Sequence, residues 1–246
     1  MTHEEKLKAA RKLTRAMSEA ELLKAGYINL SEGNAKYKNT DSVRYLIFNI
    51  PAIYTCPYAC PHCKKSCYAK KSERYFTTVL SRMRNFQITL SDNFVDLMIK
   101  TIEYHLNRKC FKGKKCIFRI HESGDFYNQE YTDKWLKIID HFKNDNRIVF
   151  GAYTKSSPYF ITAGYYHNMY KQFTLNGSVW TDTRPDRIKE YSIMDLPIYT
   201  ALTKNELSEL KKHRPVFTCK CNGCGSKCVA CFTNSDKYNY KAVVIH

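Results

Sequence analysis

The sequence predicts an α/β fold: an open, partial (β/α)6 barrel followed by a small cysteine-rich knuckle at the C-terminus. Apolar, strand-like segments alternate with amphipathic helical segments over about six units, and this alternation is typical of a parallel sheet covered by helices. Polar residues follow several of the apolar segments. Because active groups of parallel sheets gather beyond the carboxyl ends of the strands, we expect a functional site there.

Three regions are predicted along the chain. Residues 1–30 contain a basic N-terminal helix, residues 31–215 form the partial barrel with a cysteine loop, and residues 216–246 form a cysteine-rich, metal-binding segment. The predicted strands are 44–50, 116–121, 147–153, 173–179, 196–202 and 215–218. The predicted helices are 2–25, 72–90, 94–106, 129–143, 159–170, 184–191 and 204–212.

The helices are predicted from apolar residues spaced three and four positions apart, and the strands from short apolar runs. Thr2 and Glu5 have the spacing of a capping box, and Ser91 is placed to cap the helix 94–106. The apolar faces comprise Leu7, Ala10, Leu13 and Met17 in the first helix, Val79, Leu80, Met83 and Phe86 in the second, Phe94, Leu97, Met98 and Ile102 in the third, and Tyr131, Trp135, Ile138 and Ile139 in the fourth.

The composition is that of a globular protein with a strongly basic surface. Hydrophobic residues make up 43% of the 246 residues, enough for a core, and the net charge is +17. Such a charge favours polyanionic partners, with nucleic acid as the first candidate; the alternative is a basic surface that only keeps the protein in solution. No run approaches about 18 consecutive apolar residues, so we expect no membrane-spanning helix, and we expect a cytoplasmic location with reduced cysteines.

Cys56, Cys60 and Cys63 have the spacing C-x3-C-x2-C directly after the first predicted strand, and Cys67 follows four residues later. Three thiolates from one tight loop suit a cubane iron–sulfur cluster, in which a fourth iron is left open for a small chelating ligand. The alternative is a zinc site with Cys67 as the fourth ligand.

This spacing resembles the signature of the radical S-adenosylmethionine enzymes. In that family three cysteines hold a [4Fe–4S] cluster, and the methionine part of S-adenosylmethionine chelates the open iron. The resemblance implies reductive cleavage of the cofactor to a 5′-deoxyadenosyl radical. It places His62 at the usually aromatic position before the last cysteine, and it points to the same barrel architecture.

The turn formed by Ser123, Gly124 and Asp125 follows the second predicted strand. Radical S-adenosylmethionine enzymes have a glycine- and glutamate-containing turn at this place, so the resemblance implies that these three residues contact the amino group of the cofactor. The alternative is a plain strand-to-helix turn in which Asp125 or Asn128 caps the helix 129–143.

Arg119 and His121 alternate along the strand 116–121, and we therefore expect both side chains on one face. If that face is the barrel interior they belong to the site; otherwise His121 is a hydrogen-bonded histidine at a strand end. Weaker candidates at other strand ends are Thr154, Lys155, Asn176 and Ser178.

A second cysteine group contains Cys219, Cys221, Cys224, Cys228 and Cys231. Four of the five suffice for a tetrahedral zinc ion or a second iron–sulfur cluster, and the interspersed glycines let the backbone curl around it. Cys110 and Cys116 flank a lysine-rich loop and are predicted to bind no metal.

Four further motifs are Gly33-Asn34-Ala35-Lys36, the run from Cys63 through Cys67-Tyr68-Ala69, Arg119-Ile-His-Glu-Ser-Gly-Asp125-Phe126 and Tyr153-Thr154-Lys155. Together they resemble the gene product 88 family of phages and mobile elements over roughly residues 30–235. The resemblance implies a phage- or mobile-element-encoded protein in the host cell and assigns no reaction. Two hypotheses follow: a radical S-adenosylmethionine-like enzyme, for which the basic surface suggests a nucleic acid or nucleotide substrate, or a non-enzymatic zinc protein that binds nucleic acid.

Overall fold

A seven-stranded parallel sheet organises the part of the chain that the computed structural model describes, namely residues 1–180, 182–213, 215–219 and 240–244. The strand order is β1-β2-β3-β4-β5-β7-β6, and the sheet is open. This confirms the predicted α/β class. The strands are β1 (Val43–Phe48), β2 (Lys115–Ile120), β3 (Ile148–Thr154), β4 (Phe173–Val179), β5 (Ile198–Leu202), β6 (Phe217–Cys219) and β7 (Tyr240–Val244).

Two of the helices precede β1, and the others lie between successive strands from β1 to β6. They are α1 (His3–Arg15), α2 (Glu19–Leu22), α3 (Pro61–Lys65), α4 (Ala69–Ser72), α5 (Phe76–Thr89), α6 (Phe94–Asn107), α7 (Gln129–His141), α8 (Ser157–Thr162), α9 (Pro185–Ile193) and α10 (Lys204–His213). None of the helices in the described ranges combines the length and apolar character needed to cross a membrane.

Two predicted helices differ most from the observed ones. The predicted helix 2–25 is two helices, because Ser18 begins a second one: its backbone N–H and hydroxyl both donate to the Glu21 carboxylate at 2.7 Å. The predicted helix 159–170 is the shorter α8, which ends before Gly164 at φ +68°. A glycine in the left-handed region is a common helix terminator, and here it outweighs the apolar periodicity.

The main core lies between the sheet and helices α5, α6 and α7. Trp135 of α7 is fully buried, and its ring contacts Phe48 of β1, Phe94 of α6 and Phe118 of β2 at centroid distances of 5.6–5.8 Å. Tilted and edge-on aromatic pairs of this kind add to the free energy gained by burying apolar area. This packing sets the position of α7 and of the β2 end that precedes it.

The parallel register aligns the carboxyl ends of neighbouring strands along one edge of the sheet. Phe48 pairs with Ile120, Ile120 with Ala152, and Ala152 with Leu175. The segments that follow β1, β2, β3 and β4 therefore meet at a single edge of the sheet, as expected for parallel strands.

The predicted C-terminal knuckle falls almost wholly outside the described residues. Cys221, Cys224, Cys228 and Cys231 lie there, and only the backbone of Cys219 is described, as the end of β6. The metal site predicted for these five cysteines stays a prediction.

Candidate functional site

The segments that follow β1 to β4 enclose a cavity of about 270 Å³ at the carboxyl edge of the sheet. Its lining comes from these segments, from the ends of strands β2 to β5 and from the loop before β1. The lining includes Lys36, Ala52, Cys56, Cys63, Cys67, Tyr68, Arg119, His121, Ser123, Gly124, Asp125, Tyr153, Thr154, Lys155, Ser178, Trp180 and Tyr199. Two sequence predictions, the cysteine loop and the turn at residues 123–125, thus meet at one cavity.

The cysteine loop turns toward this cavity immediately after β1. The Cys56 N–H donates to the Ile53 carbonyl at 3.1 Å, and Cys60 precedes α3, whose first residue is Pro61. Proline suits this position because it needs no backbone donor there. Cys56, Cys63 and Cys67 line the cavity, whereas Cys60 lines a smaller neighbouring cavity of about 190 Å³.

The thiols of the loop lie in a partly desolvated setting. Burial raises the pKa of the Cys63 thiol to about 11, and the Lys155 ammonium acts in the opposite direction. Burial also raises the pKa of Cys56, with charge on Asp125 adding to it. Without a bound cation these thiols are protonated at neutral pH, and a metal would supply the charge that stabilises their thiolates.

The donor set fits a metal by its chemistry, since sulfur ligands suit both zinc and iron–sulfur clusters. Within the described ranges, however, no three cysteine, histidine or carboxylate side chains converge as ligands of one ion. Cys67 lies within electrostatic reach of both Cys56 and Cys63, so the fold does not separate it from these two cysteines.

The carboxylate of Asp125 ties the end of β2 to the end of β3. It accepts hydrogen bonds from the Thr154 hydroxyl at 2.7 Å, from the Lys155 N–H at 2.9 Å and from the Phe126 N–H at 2.8 Å. Burial raises the pKa of Asp125, and these three bonds oppose the rise. The cap of α7 is Asn128, which accepts from the Tyr131 N–H. Of the two proposed capping residues, Asn128 is correct.

Ser123 ties the same turn to β1. Its hydroxyl donates to the Ile50 carbonyl at 3.0 Å, and its N–H donates to the Asn49 side chain at 2.8 Å. Because the hydroxyl has this intramolecular acceptor, the residue contributes to the cavity chiefly as a fixed wall. Its predicted contact with the cofactor stays a prediction.

Residue 124 must be glycine for two reasons: its backbone is left-handed, and neighbouring side chains leave no space for a Cβ. Its φ is +88°, and an added Cβ would lie 2.3 Å from Ile50 Cγ1 and 2.7 Å from Thr55 Oγ1. Left-handed strain and overpacking each cost roughly 1–3 kcal/mol. We expect Gly124→Ala to lower the free energy of unfolding by about 3 kcal/mol, measured by urea denaturation.

Gly113 provides the matched control for this prediction. It also has a positive φ, +72°, but nothing lies within 4 Å of a Cβ built on it. Gly113→Ala should therefore carry only the backbone strain, roughly 1 kcal/mol. Equal losses for the two variants would show that the space beside Ile50 does not restrict residue 124.

Two buried cations lie beside the cavity. The Lys155 ammonium donates to the Ser178 carbonyl at 3.0 Å and to its hydroxyl at 2.8 Å. Burial lowers the pKa of Lys155, and charge on Cys63 and Cys60 opposes the decrease. The guanidinium of Arg119 lies 4.1 Å from the Tyr153 ring centroid. An anionic ligand or cluster in the cavity would offset the cost of burying these charges.

Arg119 and His121 both line the cavity, but their side chains do not share a face of the sheet, so the prediction of a common face is wrong. Arg119 packs on Tyr153, whereas the His121 ring lies on the helix side of the sheet, 4.9 Å from the Phe126 ring, with Nε2 at 2.7 Å from the Tyr131 hydroxyl. The reason is a φ of +60° at His121, one residue past the end of β2, which breaks the strand alternation.

The remaining strand-end candidates divide into two groups. Thr154, Lys155 and Ser178 line the cavity, whereas Asn176 bonds within the sheet, donating to Ala152 and accepting from Lys241. His62 is not among the lining residues. Its ring lies 4.9 Å from Trp180, and its N–H donates to Asp182 at 2.7 Å.

Trp180 is a cavity residue that the sequence analysis missed. It follows β4 directly, so the strand-end rule that located Cys56, Asp125 and Lys155 would have found it. Lys36 and Tyr199 were also missed. Lys36 comes from the loop before β1, where its only signal was the family motif Gly33-Asn34-Ala35-Lys36, and Tyr199 comes from within β5, where no strand-end signal exists.

The cavity and its cysteine loop lie within a segment shared with known proteins. The gene product 88 family model matches residues 20–195, which include strands β1 to β4 and both site motifs. The chain belongs to the gene product 88 family. This confirms the family resemblance, and its radical S-adenosylmethionine aspect stays a prediction.

Two phage proteins are similar to this member of the gene product 88 family. The gene 88 protein of Mycobacterium phage D29 is 30% identical over 139 residues, covering 55% of this chain and 54% of the relative. The gene 88 protein of Mycobacterium phage L5 is 27% identical over a segment of the same length and coverage. The chain thus spans about half the length of the curated relatives it matches, and no solved structure matches it significantly.

Proposed function

We propose that this gene product 88 protein is a radical S-adenosylmethionine-like iron–sulfur enzyme acting in the cytoplasm of the host cell. Cys56, Cys60 and Cys63 would hold a [4Fe–4S] cluster, and residues 123–125 would contact the cofactor. The observation that carries the proposal is the meeting of the cysteine loop after β1 and the 123–125 turn after β2 at one cavity. Ligands of open parallel sheets bind at this edge.

The chain's own groups have defined roles in this proposal. When bound, the cluster and S-adenosylmethionine supply a one-electron reductive cleavage of the sulfonium. Lys155 holds a positive charge beside Cys60 and Cys63, which offsets thiolate charge. The Asp125 carboxylate, held by three hydrogen bonds, is available to pair with an ammonium group.

The aromatic walls of the cavity would shield the site. Trp180 and Tyr153 line it together with Tyr199, whose ring packs edge-on against Tyr153 at 4.7 Å. Excluding water strengthens electrostatic interactions inside a site and protects reactive species from side reactions. These walls are also suited to stacking against a flat heterocycle such as adenine.

One observation favours the second candidate, a zinc protein without enzymatic activity. Cys67 lines the same cavity as Cys56 and Cys63 and influences the pKa of both. Four thiolates would complete a tetrahedral zinc site and leave no open coordination position. Under this alternative, Cys219 to Cys231 would form a second structural zinc site, and under the first proposal a zinc site or an accessory cluster.

Anaerobic purification separates the two candidates. We expect a brown protein with absorbance near ~400 nm, roughly four irons and four sulfides per cluster, and release of 5′-deoxyadenosine when S-adenosylmethionine and dithionite are added. A heat-denatured sample provides the background for nucleoside release. A colourless protein with two zinc ions per chain would contradict the enzyme proposal.

A further inference from the structure

The segment that carries the cysteine loop is unusual in its charge. No acidic residue lies between Asp41 and Glu73. Four lysines of this stretch are exposed: Lys64 and Lys65 in α3, and Lys70 and Lys71 in α4. Two precede and two follow Cys67, so they lie beside the cavity.

Within the described part of the chain, none of these four lysines forms an ion pair. Lysines of other helices do form ion pairs: Lys134 pairs with Glu130 at 2.6 Å, and Lys212 pairs with Glu209 at 2.7 Å. The positive charge of α3 and α4 is therefore not balanced locally, which favours an external polyanion.

An exposed aromatic ring lies among these lysines. Tyr68 is 52% exposed, lies between Lys65 and Lys70 in the chain, and is one of the residues that line the cavity. Its hydroxyl donates to the Glu122 carbonyl at 2.5 Å, which fixes the ring. Lys36 Nζ lies 5.5 Å from the ring centroid. Cations around an anchored, exposed ring are the combination that binds single-stranded nucleic acids.

We propose that this α3–α4 rim, consisting of Lys64, Lys65, Tyr68, Lys70 and Lys71, binds single-stranded nucleic acid. The four ammonium groups contact phosphates, and a base stacks on Tyr68 at the entrance to the cavity. The inference deepens the proposed function by naming its substrate class. Binding of an oligonucleotide needs no cofactor, so failure here leaves the iron and 5′-deoxyadenosine measurements unaffected, and each proposal can fail separately.

Fluorescence anisotropy with a labelled oligothymidylate of about 15 nucleotides tests the proposal across a range of salt concentrations. A quadruple variant replaces the rim lysines: Lys64→Gln, Lys65→Gln, Lys70→Gln and Lys71→Gln. The matched control replaces four other exposed lysines, which lie outside α3 and α4: Lys109→Gln, Lys112→Gln, Lys137→Gln and Lys171→Gln. Both variants lose the same net charge.

The rim variant should bind at least tenfold more weakly, and its slope of log affinity against log salt should fall by about 2–3, since each phosphate contact contributes roughly 0.7 for single strands. The control variant should change affinity by less than about threefold. Its four lysines lie away from the proposed binding surface, and salt screens their attraction for the oligonucleotide. Equal losses in the two variants would overturn the proposal.

Substitutions at Tyr68 distinguish the contribution of base stacking to binding from that of the lysine charges. Tyr68→Ala should weaken binding about tenfold, whereas Tyr68→Phe, which keeps the ring, should bind nearly as well as the parent protein. Polyglutamate and duplex DNA serve as competitors. If either displaces the oligothymidylate as well as unlabelled oligothymidylate does, the rim is a general anion-binding or duplex-binding surface and the proposal is wrong.

Discussion

Cys60→Ala should abolish cluster uptake at the cysteine loop, while Cys67→Ala should leave the cluster in place. Under the proposed function Cys60 is one of three ligands. In this structure its sulfur accepts from the Cys63 N–H while its thiol donates to the Asp182 carboxylate, so a cluster would have to displace the thiol proton. Iron and sulfide per chain should fall by about four each in Cys60→Ala and remain at the parent value in Cys67→Ala.

Cys110→Ala is the matched control for these variants. Cys110 is half-buried and lies in the loop before β2, away from the carboxyl edge of the sheet. Its replacement should leave the metal content unchanged. If Cys67→Ala loses metal as completely as Cys60→Ala, all four cysteines are ligands and the zinc alternative is favoured.

Glu73→Ala should lower the free energy of unfolding by about 3–5 kcal/mol, since it leaves a buried guanidinium without its counter-charge. The Glu73 side chain is fully buried. It accepts from Arg82 at 2.7 Å and from the Ala52 N–H at 2.8 Å, and it lies 2.5 Å from His3 Nε2. Urea denaturation monitored by tryptophan fluorescence measures the loss.

Two further variants test whether the loss of the buried charge partner of Arg82 causes the expected destabilisation. Glu130→Ala removes a carboxylate whose side chain is 69% exposed and pairs with Lys134, so the expected change is within about 0.5 kcal/mol. The double variant Glu73→Met with Arg82→Met removes both buried charges and should be more stable than Glu73→Ala. A double variant at least as unstable as the single one would show that the lost charge partner is not the cause.

Glu73 also explains how the candidate site is held together. It links α1, α5 and the loop after β1, and it receives a weaker hydrogen bond of 3.4 Å from the Ser123 hydroxyl after β2. One carboxylate thus connects the cysteine-loop strand with the 123–125 turn. Nothing in the local sequence distinguishes it from the exposed glutamates of the same chain, because its partners are distant in the sequence.

Most of the strands were predictable because burial on a parallel sheet produces short, continuous apolar runs. The predicted strand 173–179 coincides with β4, and the predicted strand 116–121 differs from β2 by one residue at each end. β7 was missed, although it lies between β5 and β6. Its insertion there is a long-range pairing that no local pattern encodes.

The helices likewise divide into those that the local sequence predicted and those that it did not. The predicted helix 94–106 agrees with α6 to within one residue, since its apolar face repeats regularly against one core. The short helices α3 and α4 have too few residues for any periodicity to be detected. They matter for function because they carry Cys63 and the rim lysines.

For the candidate site, strand-end position was sufficient to bring Cys56, Asp125 and Lys155 to one edge, because parallel strands end together. The directions of individual side chains were not predictable in this way. Cys60 lines a neighbouring cavity. The side chain of His121 lies on the opposite face of the sheet from Arg119, because the backbone of His121 is left-handed. Such outcomes depend on contacts between residues far apart in the chain.

The amino-acid pattern alone was enough to establish a parallel α/β sheet, a thiol-rich loop after its first strand and membership of the gene product 88 family, because each follows from local spacing and motif. Folding in three dimensions decided that Asp125 bonds Thr154 and Lys155, that Glu73 joins two loops, and that a basic rim borders the cavity. These features depend on desolvation and on long-range hydrogen bonds, which exist only once the sheet has assembled.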